Sequence, residues 1–255
     1  MASDFFQGIM RWNVERNGVI RPLPYFYYDN FSIAGVYTAS KARVKTLIPH
    51  PDLHLLEFRP GRCLVAFAAF EYRQTDFEPY NEVNISFLAS YKSKPVPLFT
   101  LLKTLNSNVF PSYVWQLPVN TEHARAGGVD LFGYPKFLAE IDFSKTTDRV
   151  ECRLSVSGMD ILQLSGRVLP TKRSTPMRYL TYAVEGDNLV SANVLINPIE
   201  FAESRRKDDL FLEIGKDHPI CQVLNNIQLS KHPMIYQFSS HAESILFPAR
   251  SVRDE

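Results

Sequence analysis

Cysteines are scarce in this sequence, and the three that occur, Cys63, Cys152 and Cys221, lie far apart. With no CxxC pair and an odd total, they disfavour a disulfide scaffold and a structural zinc site, and they suit a reducing compartment. A basic excess is also missing, because 28 Lys and Arg side chains face 27 Asp and Glu and the formal net charge is +1. Since neutralising phosphates requires such an excess, nucleic acid is disfavoured as the main partner.

Several familiar signatures are missing as well. No apolar stretch approaches the roughly 18 residues that a membrane span requires, and no basic N-terminal segment precedes an apolar run. The motifs GxGxxG, GxxxxGK[ST], HExxH and GxSxG do not occur, so the usual signs of dinucleotide, P-loop, zinc-hydrolase and α/β-hydrolase chemistry are lacking. We therefore expect a soluble cytoplasmic protein with no membrane span, no metal and no other cofactor.

The distribution of proline indicates how the chain is organised. Seventeen prolines, against eleven glycines, separate short apolar runs. Because proline is excluded from helix interiors and central strands, this spacing predicts many short elements. Runs rich in β-branched and aromatic residues predict strands at 31–37, 63–72, 81–90, 138–143, 150–157, 161–169, 188–196 and 235–240. The strands at 150–157 and 161–169 are joined by a short SGMD segment and predict a hairpin.

Helices are fewer in this interpretation. A capping-type serine and a following proline predict a helix over 40–48, and leucine spacing predicts another over 98–105. Two weaker patterns predict helices at 217–224 and 198–203. The expected class is α+β, dominated by an antiparallel sheet or barrel. Since no repeat or linker-like change of composition is present, we expect one domain over 1–255.

One segment, 126–141, carries most of the chemical information. It contains Lys136 directly after Pro135, bracketed by apolar and aromatic residues that include Phe132, Tyr134 and Phe137. A lysine held among such rings is desolvated, which destabilises the ammonium and favours the neutral amine that Schiff-base chemistry with a ketone needs. The alternative is that Lys136 extends its amine to water at a turn.

The same segment resembles a known family signature. The run GVDLFGYPK at 128–136, followed by Leu138 and Ala139, is similar to the acetoacetate decarboxylase signature, roughly G-R-E-x-x-G-[YF]-P-K-K-L. Upstream, PYNE at 79–82 resembles the Tyr-x-Glu segment of that family. The predicted strand at 31–37 and the helix that ends at Ile48 match its opening elements in order. The resemblance extends to Phe143, and beyond it only a general β-rich pattern matches.

This resemblance implies a β-barrel or cone with a few short helices, and a Schiff-base mechanism without a cofactor. In the family, the first lysine of the pair forms a protonated Schiff base with a β-keto acid, and the iminium accepts electrons as carbon dioxide leaves. Carried over, Lys136 is the nucleophile. Glu82 corresponds to the glutamate that orients groups or handles protons there. Family members are typically oligomeric, so a homo-oligomer is expected.

The chain departs from the family pattern at several positions. Phe137 stands where the family has a second lysine, and Val129 and Asp130 replace the Arg-Glu of the signature. A second family glutamate has no direct match. Glu71 is a candidate replacement, because it follows the 64–70 run with the same facing as Phe67 in a regular strand.

Further candidates for substrate contact come from the remaining residues. Arg21 is the nearest match to a family arginine, and Phe132, Tyr134 and Phe137 flank the lysine. Trp115 either lines a pocket mouth or packs in the interior. The aromatic run at 25–28 either forms the wall of a pocket or of an oligomer contact, or packs in the core or in an interface. His123 and Arg125 either reach a substrate carboxylate or lie in a solvated loop.

Three functions remain open at this point. The first is decarboxylation of a small β-keto acid through an iminium on Lys136. The second is an aldolase or dehydratase reaction on a keto acid in the same scaffold. The third is non-catalytic binding of an apolar small molecule in a β-barrel, with Lys136 as an ion-pair partner. Fold and lysine alone do not decide among them.

Overall fold

A computed structural model describes residues 4–16, 18–93, 95–96, 104 and 106–252. Strands make up most of this part of the chain, which confirms the α+β class dominated by antiparallel β-structure. In chain order, the strands are β1 (Trp12–Arg16), β2 (Val19–Leu23), β3 (Tyr25–Ser40), β4 (Leu53–Leu55), β5 (Glu57–Arg59), β6 (Arg62–Thr75), β7 (Tyr80–Tyr91), β8 (Val109–Gln116), β9 (Glu140–Lys145), β10 (Arg149–Val156), β11 (Met159–Arg167), β12 (Met177–Glu185), β13 (Asn188–Ser204), β14 (Leu210–Ile214), β15 (Ile235–Leu246) and β16 (Arg250–Ser251). The α-helices are α1 (Lys41–Lys45), α2 (Glu122–Phe132) and α3 (Pro219–Asn226), and a short 3-10 helix covers Asp4–Phe6.

The large sheet closes on itself as a seven-stranded barrel. Its strands follow the order β7-β8-β12-β13-β15-β3-β6, and β6 pairs again with β7. All neighbours are antiparallel except β8 and β12, which run parallel. Closure pairs the backbone groups that an open sheet would leave at its edges. The barrel expected from the family resemblance is confirmed.

A second sheet packs against one side of this barrel. Its four strands follow the order β14-β11-β10-β9. Buried residues from these strands pack with buried residues of β3, β6 and β7 in one cluster, the main core. On β6 the alternation is clear, because Cys63, Val65, Phe67 and Ala69 all point into that core.

Most of the predicted elements are present, with some differences. All eight predicted strands are found, and the predicted hairpin turns at Ser157 and Gly158, both with positive φ (50° and 77°) as a two-residue turn of this kind requires. Helices α1 and α3 confirm the predictions at 40–48 and 217–224, although Ser40 makes no side-chain capping bond. Apart from Thr104, the predicted helix at 98–105 lies outside the described residues.

The helix predicted at 198–203 is wrong, because this segment belongs to β13. Its backbone pairs with β15, and the register shifts between Pro198 and Glu200. A proline is tolerated in a strand at such an irregularity, where it leaves no ladder hydrogen bond unmade. None of the helices in the described ranges is long and apolar enough to cross a membrane.

The packing predicts a large difference between two isoleucines. Ile33 in β3 is completely buried, whereas Ile20 in β2 is 52% exposed. Ile33→Ala should lower the free energy of unfolding by about 2–5 kcal/mol, because it leaves a cavity in the main core. Ile20→Ala should change it by less than about 0.5 kcal/mol. Urea unfolding of both variants measures the difference, and equal losses would contradict this description of the core.

Candidate active site

A bulge in β3 separates the residues that face the main core from those that face a second apolar cluster. The pairing of β3 with β6 shifts register between Tyr27 and Asn30, and the pairing with β15 is also irregular in this region. As a result Phe31 points into the main core, whereas Tyr25 and Tyr27 point into the second cluster. Bulges re-aim side chains in this way and are common beside functional sites.

Helix α2 leads into the segment that carries the lysine. The Thr121 side chain accepts a hydrogen bond from the Ala124 backbone N–H (3.4 Å) at the start of the helix. The helix ends at Gly133, whose φ of 64° lies in the left-handed region that favours glycine. This helix was not predicted, because Gly127 and Gly128 lower the helix propensity of its sequence. Thr121 and Gly133 are the end signals that could have revealed it.

After α2 the chain runs alongside residues 117–119, which lie beside β7. Val119 donates a backbone hydrogen bond to Phe137 (3.0 Å) and accepts one from Ala139 (3.0 Å). Val119 also forms an isolated bridge with Glu82. These contacts bring together Lys136 and Glu82, which are far apart in the sequence.

The Lys136 amine and the Glu82 carboxylate form a buried pair. The Nζ atom of Lys136 donates to Oε2 of Glu82 at 2.7 Å, and the two side chains are only 7% and 8% exposed. The same Nζ lies 5.3 Å from the ring centre of Tyr80. Because a buried charge is costly without a partner, each group depends on the other to stay in this site.

Gly128 makes room for the lysine. A Cβ atom at this position would collide with Cδ and Cε of Lys136. The stem of the lysine therefore lies directly against the backbone of α2. Any larger residue at 128 would push it away from Glu82.

Tyrosine hydroxyls surround the pair. Tyr72 donates to Oε1 of Glu82 (3.4 Å), and Tyr80 donates to the hydroxyl of Tyr27 (3.4 Å). Burial raises the pKa of Tyr27, Tyr72 and Tyr80 well above its usual value, and the Glu82 charge raises it further. These hydroxyls therefore stay protonated at neutral pH.

Tyr134 is fixed in the same wall. Its hydroxyl bonds to Thr181 Oγ1 at 2.7 Å, and Thr181 donates to the carbonyl of Ala192 at 3.0 Å. Because Thr181 uses its hydroxyl proton in the bond to Ala192, the Tyr134 hydroxyl is the donor in the bond between Tyr134 and Thr181. Burial raises the pKa of Tyr134 above its usual value.

The lysine opens onto a small cavity of about 10 Å³. Its walls are formed by Tyr25, Tyr27, Phe77, Tyr80, His123, Ala124, Gly127, Gly128, Phe132, Tyr134, Lys136 and Leu246. This volume is close to the minimum for one water molecule, so a keto acid fits only after a wall side chain has moved. His123 is the exposed residue of this wall, and its ring stacks on Phe77 with ring centres 5.2 Å apart.

Four of the predicted site residues come together here. Lys136, Tyr134 and Phe132 line the cavity, and Glu82 binds the lysine amine. Tyr25 and Tyr27 line the cavity, in agreement with the pocket-wall interpretation of the aromatic run, and His123 lies at an exposed position of α2 beside the same cavity. Arg125 instead pairs with Glu122 (2.7 Å) on the surface of α2.

Glu71 lies outside this group. It does face the same side as Phe67, but that side is the main core, and in the β6–β7 pairing it stands opposite Asn81. Because neighbouring residues of a strand point to opposite faces, its carboxylate cannot reach Glu82. Glu71 pairs instead with Lys145 near the surface, and Tyr72 takes the position next to Glu82.

Three other predicted contact residues also stand outside the cavity wall. Phe137 and Trp115 pack against the main core, and Trp115 lies 5.6 Å from the ring of Phe87. Arg21 lies in β2 and donates to the backbone carbonyl of Ile20 at 2.9 Å. None of the three lines the cavity.

Several wall residues were missed in the sequence. Tyr80 stands within the PYNE motif, two residues before Glu82, so strand alternation alone could have placed it on the same face. Gly127 and Gly128 stand in the glycine-rich run, where close approach of another group was a possible reason for two glycines. Phe77 and Leu246 had no distinguishing signal.

Comparison with known proteins identifies the family. The family model described as acetoacetate decarboxylase (ADC) matches residues 16–180. The chain belongs to the acetoacetate decarboxylase family. The matched range includes both members of the buried pair, Glu82 and Lys136. None of the curated proteins compared with the chain matches it significantly in sequence.

Several solved structures share the fold. An acetoacetate decarboxylase from Legionella pneumophila has a TM-score of 0.67 and 16% identity over 90% of this chain and 87% of its own. The enduracididine biosynthesis enzyme MppR in complex with pyruvate has a TM-score of 0.65 and 13% identity over 92% of both chains. An acetoacetate decarboxylase-like enzyme from Sphingomonas wittichii RW1 has a TM-score of 0.54 and 16% identity over 89% of this chain and 93% of its own. At these identities the likeness concerns the fold.

The glycine pair of α2 provides a test of the site's packing. Gly127→Ala should raise the free energy of unfolding by about 0.5–1 kcal/mol, because alanine favours the helix and its Cβ would meet only Tyr25 Oη at 3.4 Å. Gly128→Ala should instead lower it by about 1–3 kcal/mol, since the new methyl group collides with Lys136. Urea unfolding compares the neighbouring variants, and equal effects would contradict the close contact.

Proposed function

We propose that Lys136 forms a Schiff base with a small β-keto acid and that the protein decarboxylates it through the resulting iminium. The observation that carries this proposal is the buried amine of Lys136, held 2.7 Å from the buried carboxylate of Glu82 at the wall of an aromatic cavity. A nucleophile within hydrogen-bond reach of a base is the general arrangement for covalent catalysis. Membership of the family supports the same chemistry.

The first stage joins the substrate to the enzyme. Glu82 accepts a proton from the Lys136 ammonium, and the free amine attacks the ketone carbon of the substrate to form a C–N bond. The carbinolamine then loses water, with Glu82 returning the proton to the departing hydroxyl group. The product of this stage is a protonated iminium on Lys136, paired with the Glu82 carboxylate.

The second stage breaks the carbon–carbon bond. The bond between the α-carbon and the carboxyl group cleaves, its electron pair moves into the iminium, and carbon dioxide leaves as an enamine forms. A proton from water is added to the α-carbon, and the iminium is restored. The hydroxide left by that water adds to the iminium carbon, and the resulting carbinolamine breaks its C–N bond to release a ketone and return the amine of Lys136.

The cavity wall supports this sequence. Most of its side chains are apolar or aromatic, and Lys136 is the sole lysine or arginine among the described residues that line it. A substrate carboxylate therefore meets no lysine or arginine in that lining other than the lysine that forms the iminium. Loss of its charge as neutral carbon dioxide is favoured in such surroundings.

A second candidate is an aldolase or dehydratase reaction in the same site. MppR, which shares the fold, has been crystallised with the condensation product of pyruvate and imidazole 4-carboxaldehyde. The enamine described above is a carbon nucleophile, and it adds to an aldehyde where one is present. A product assay with pyruvate and an aldehyde, run beside a carbon dioxide assay with acetoacetate, distinguishes the two reactions. Homo-oligomeric assembly and a cytoplasmic location stay predictions.

Borohydride trapping tests the Schiff base directly. Reduction in the presence of acetoacetate or pyruvate should attach the keto acid, or the ketone left after decarboxylation, irreversibly to Lys136, as the mass of the labelled peptide would show. Lys136→Ala should abolish the adduct. Lys145→Ala is the matched control, because Lys145 also pairs with a glutamate, Glu71, but in an exposed position. If wild-type protein forms no adduct with any keto acid tested, non-catalytic binding becomes the better explanation.

The role of Glu82 is tested by a pair of carboxylate substitutions. Glu82→Gln keeps the size of the side chain but removes the base, so kcat for carbon dioxide release should fall by about 10²–10⁴-fold. Glu71→Gln should leave kcat within about 2-fold, since a surface charge pair contributes little. Steady-state kinetics measures both variants. A similar loss in both, or in neither, would refute the assignment of proton transfer to Glu82.

A further inference from the structure

One hydroxyl in the cavity wall differs from the others. The hydroxyls of Tyr27, Tyr80 and Tyr134 have hydrogen-bond partners, as described above. The hydroxyl of Tyr25 is buried and has no hydrogen-bond partner among the residues that the structure describes. A buried polar group without a partner is costly, and in native proteins such a group calls for an explanation.

We propose that Tyr25 is the residue that binds the carboxylate of the substrate, with its hydroxyl as the donor. The inference rests on the proposed function and names the group that distinguishes a keto acid from a neutral ketone. A carboxylate accepts hydrogen bonds only, so an unused O–H donor in the wall suits it. Hydrogen bonds to charged acceptors are also the stronger ones.

The ring of Tyr25 is fixed, so its hydroxyl cannot easily turn to another partner. Its centre lies 5.1 Å from Phe77 and 6.0 Å from Phe132, and both rings line the cavity. The hydroxyl lies 3.4 Å from the point where Gly127 would carry a Cβ atom. The absence of a side chain at Gly127 thus leaves the space in front of the donor open.

The charges around Tyr25 favour an anion. Arg21 is the charged group with the strongest influence on this hydroxyl, and its Nε atom is also buried without a partner among the described residues. The negative charge of Asp76 is already paired with Arg11 at 2.8 Å. Burial raises the pKa of Tyr25 to about 12, against the opposing effect of Arg21, so the hydroxyl stays protonated and able to donate.

The negative charge of Glu82 also favours a position of the substrate carboxylate near Tyr25. The ketone carbon must meet Nζ of Lys136, and the Glu82 carboxylate lies directly beside that atom. Two carboxylates so close together repel each other. The acid group of the substrate is therefore best accommodated away from Glu82, at the Tyr25 hydroxyl, where Arg21 rather than Glu82 is the charged group of strongest influence.

Two tyrosines provide a matched pair of variants. Tyr25→Phe and Tyr37→Phe each remove one buried hydroxyl that has no partner in the described part of the chain, and each keeps the ring. Tyr37 packs in the main core against Phe67, away from the cavity, so it controls for the loss of a hydroxyl as such. Circular dichroism and thermal unfolding establish that both variants are folded.

The measurement uses two ligands of the same shape. Acetoacetate carries the carboxylate, and acetoacetamide is its neutral counterpart. The concentration that gives half-maximal borohydride trapping on Lys136 should rise about 10- to 100-fold for acetoacetate in Tyr25→Phe. For acetoacetamide it should change less than about 3-fold in Tyr25→Phe, because a neutral amide makes no charge-assisted hydrogen bond with the hydroxyl. Tyr37→Phe should leave this concentration unchanged for both ligands, because Tyr37 lies away from the cavity.

Other results would overturn the assignment. An unchanged acetoacetate response in Tyr25→Phe, or an equal loss for both ligands, would mean that the hydroxyl does not select the carboxylate. If wild-type protein forms no adduct at all, the proposed function fails, and calorimetric titration with acetoacetate then decides the role of Tyr25 separately. If Tyr25→Phe binds acetoacetate more weakly than the wild type does but binds acetoacetamide equally well, the role of Tyr25 is supported. If the wild type and Tyr25→Phe bind acetoacetate equally, or if neither binds it, that role is refuted.

Discussion

The ion pair between Lys136 and Glu82 is the interaction on which the rest of the site depends. Neither charged group is stable alone at so buried a position, because an unpaired buried charge costs several kcal/mol. Together they are neutral overall, and a proton can pass along their 2.7 Å hydrogen bond without changing the net charge of the cavity. The neighbouring features serve this pair: Gly128 leaves space for the lysine stem, and Tyr72 donates to the second carboxylate oxygen.

The fold explains how two residues so distant in sequence meet. β7 carries Glu82, and the segment after α2 carries Lys136. Val119 lies between them, with a bridge to each side. The barrel fixes β7 between β6 and β8, and the left-handed turn at Gly133 directs the lysine segment back along Val119. A change of one residue in either register would turn a side chain of the pair to the opposite face.

The β-rich class could be predicted from strand alternation, which is a local property, and the resemblance of two short motifs pointed to Lys136 and Glu82, which the structure brings together. It was insufficient where the answer depends on which face of a strand meets which neighbour. Glu71 shows this limit, since the face of β6 on which it lies was predicted correctly, but β6 packs against apolar clusters on both faces, and the site borders the face that carries Tyr72. The bulge that turns Tyr25 and Tyr27 towards the cavity, and the pairing that holds Pro198 in β13, likewise arise from contacts between distant segments.

The sides on which residues 136 and 137 lie explain what the replacement of the family's second lysine by Phe137 changes. Position 137 follows Lys136 directly, and its side chain packs against the main core, whereas Lys136 faces the cavity. A lysine at 137 in this backbone would have its stem on the core side, so phenylalanine removes no group from the cavity wall. The groups that surround the Lys136 amine are then the buried aromatic wall and the Glu82 carboxylate, and this chain has both. The apolar residue at 137 strengthens the packing behind the lysine, and rigid support of this kind keeps a reactive group in position.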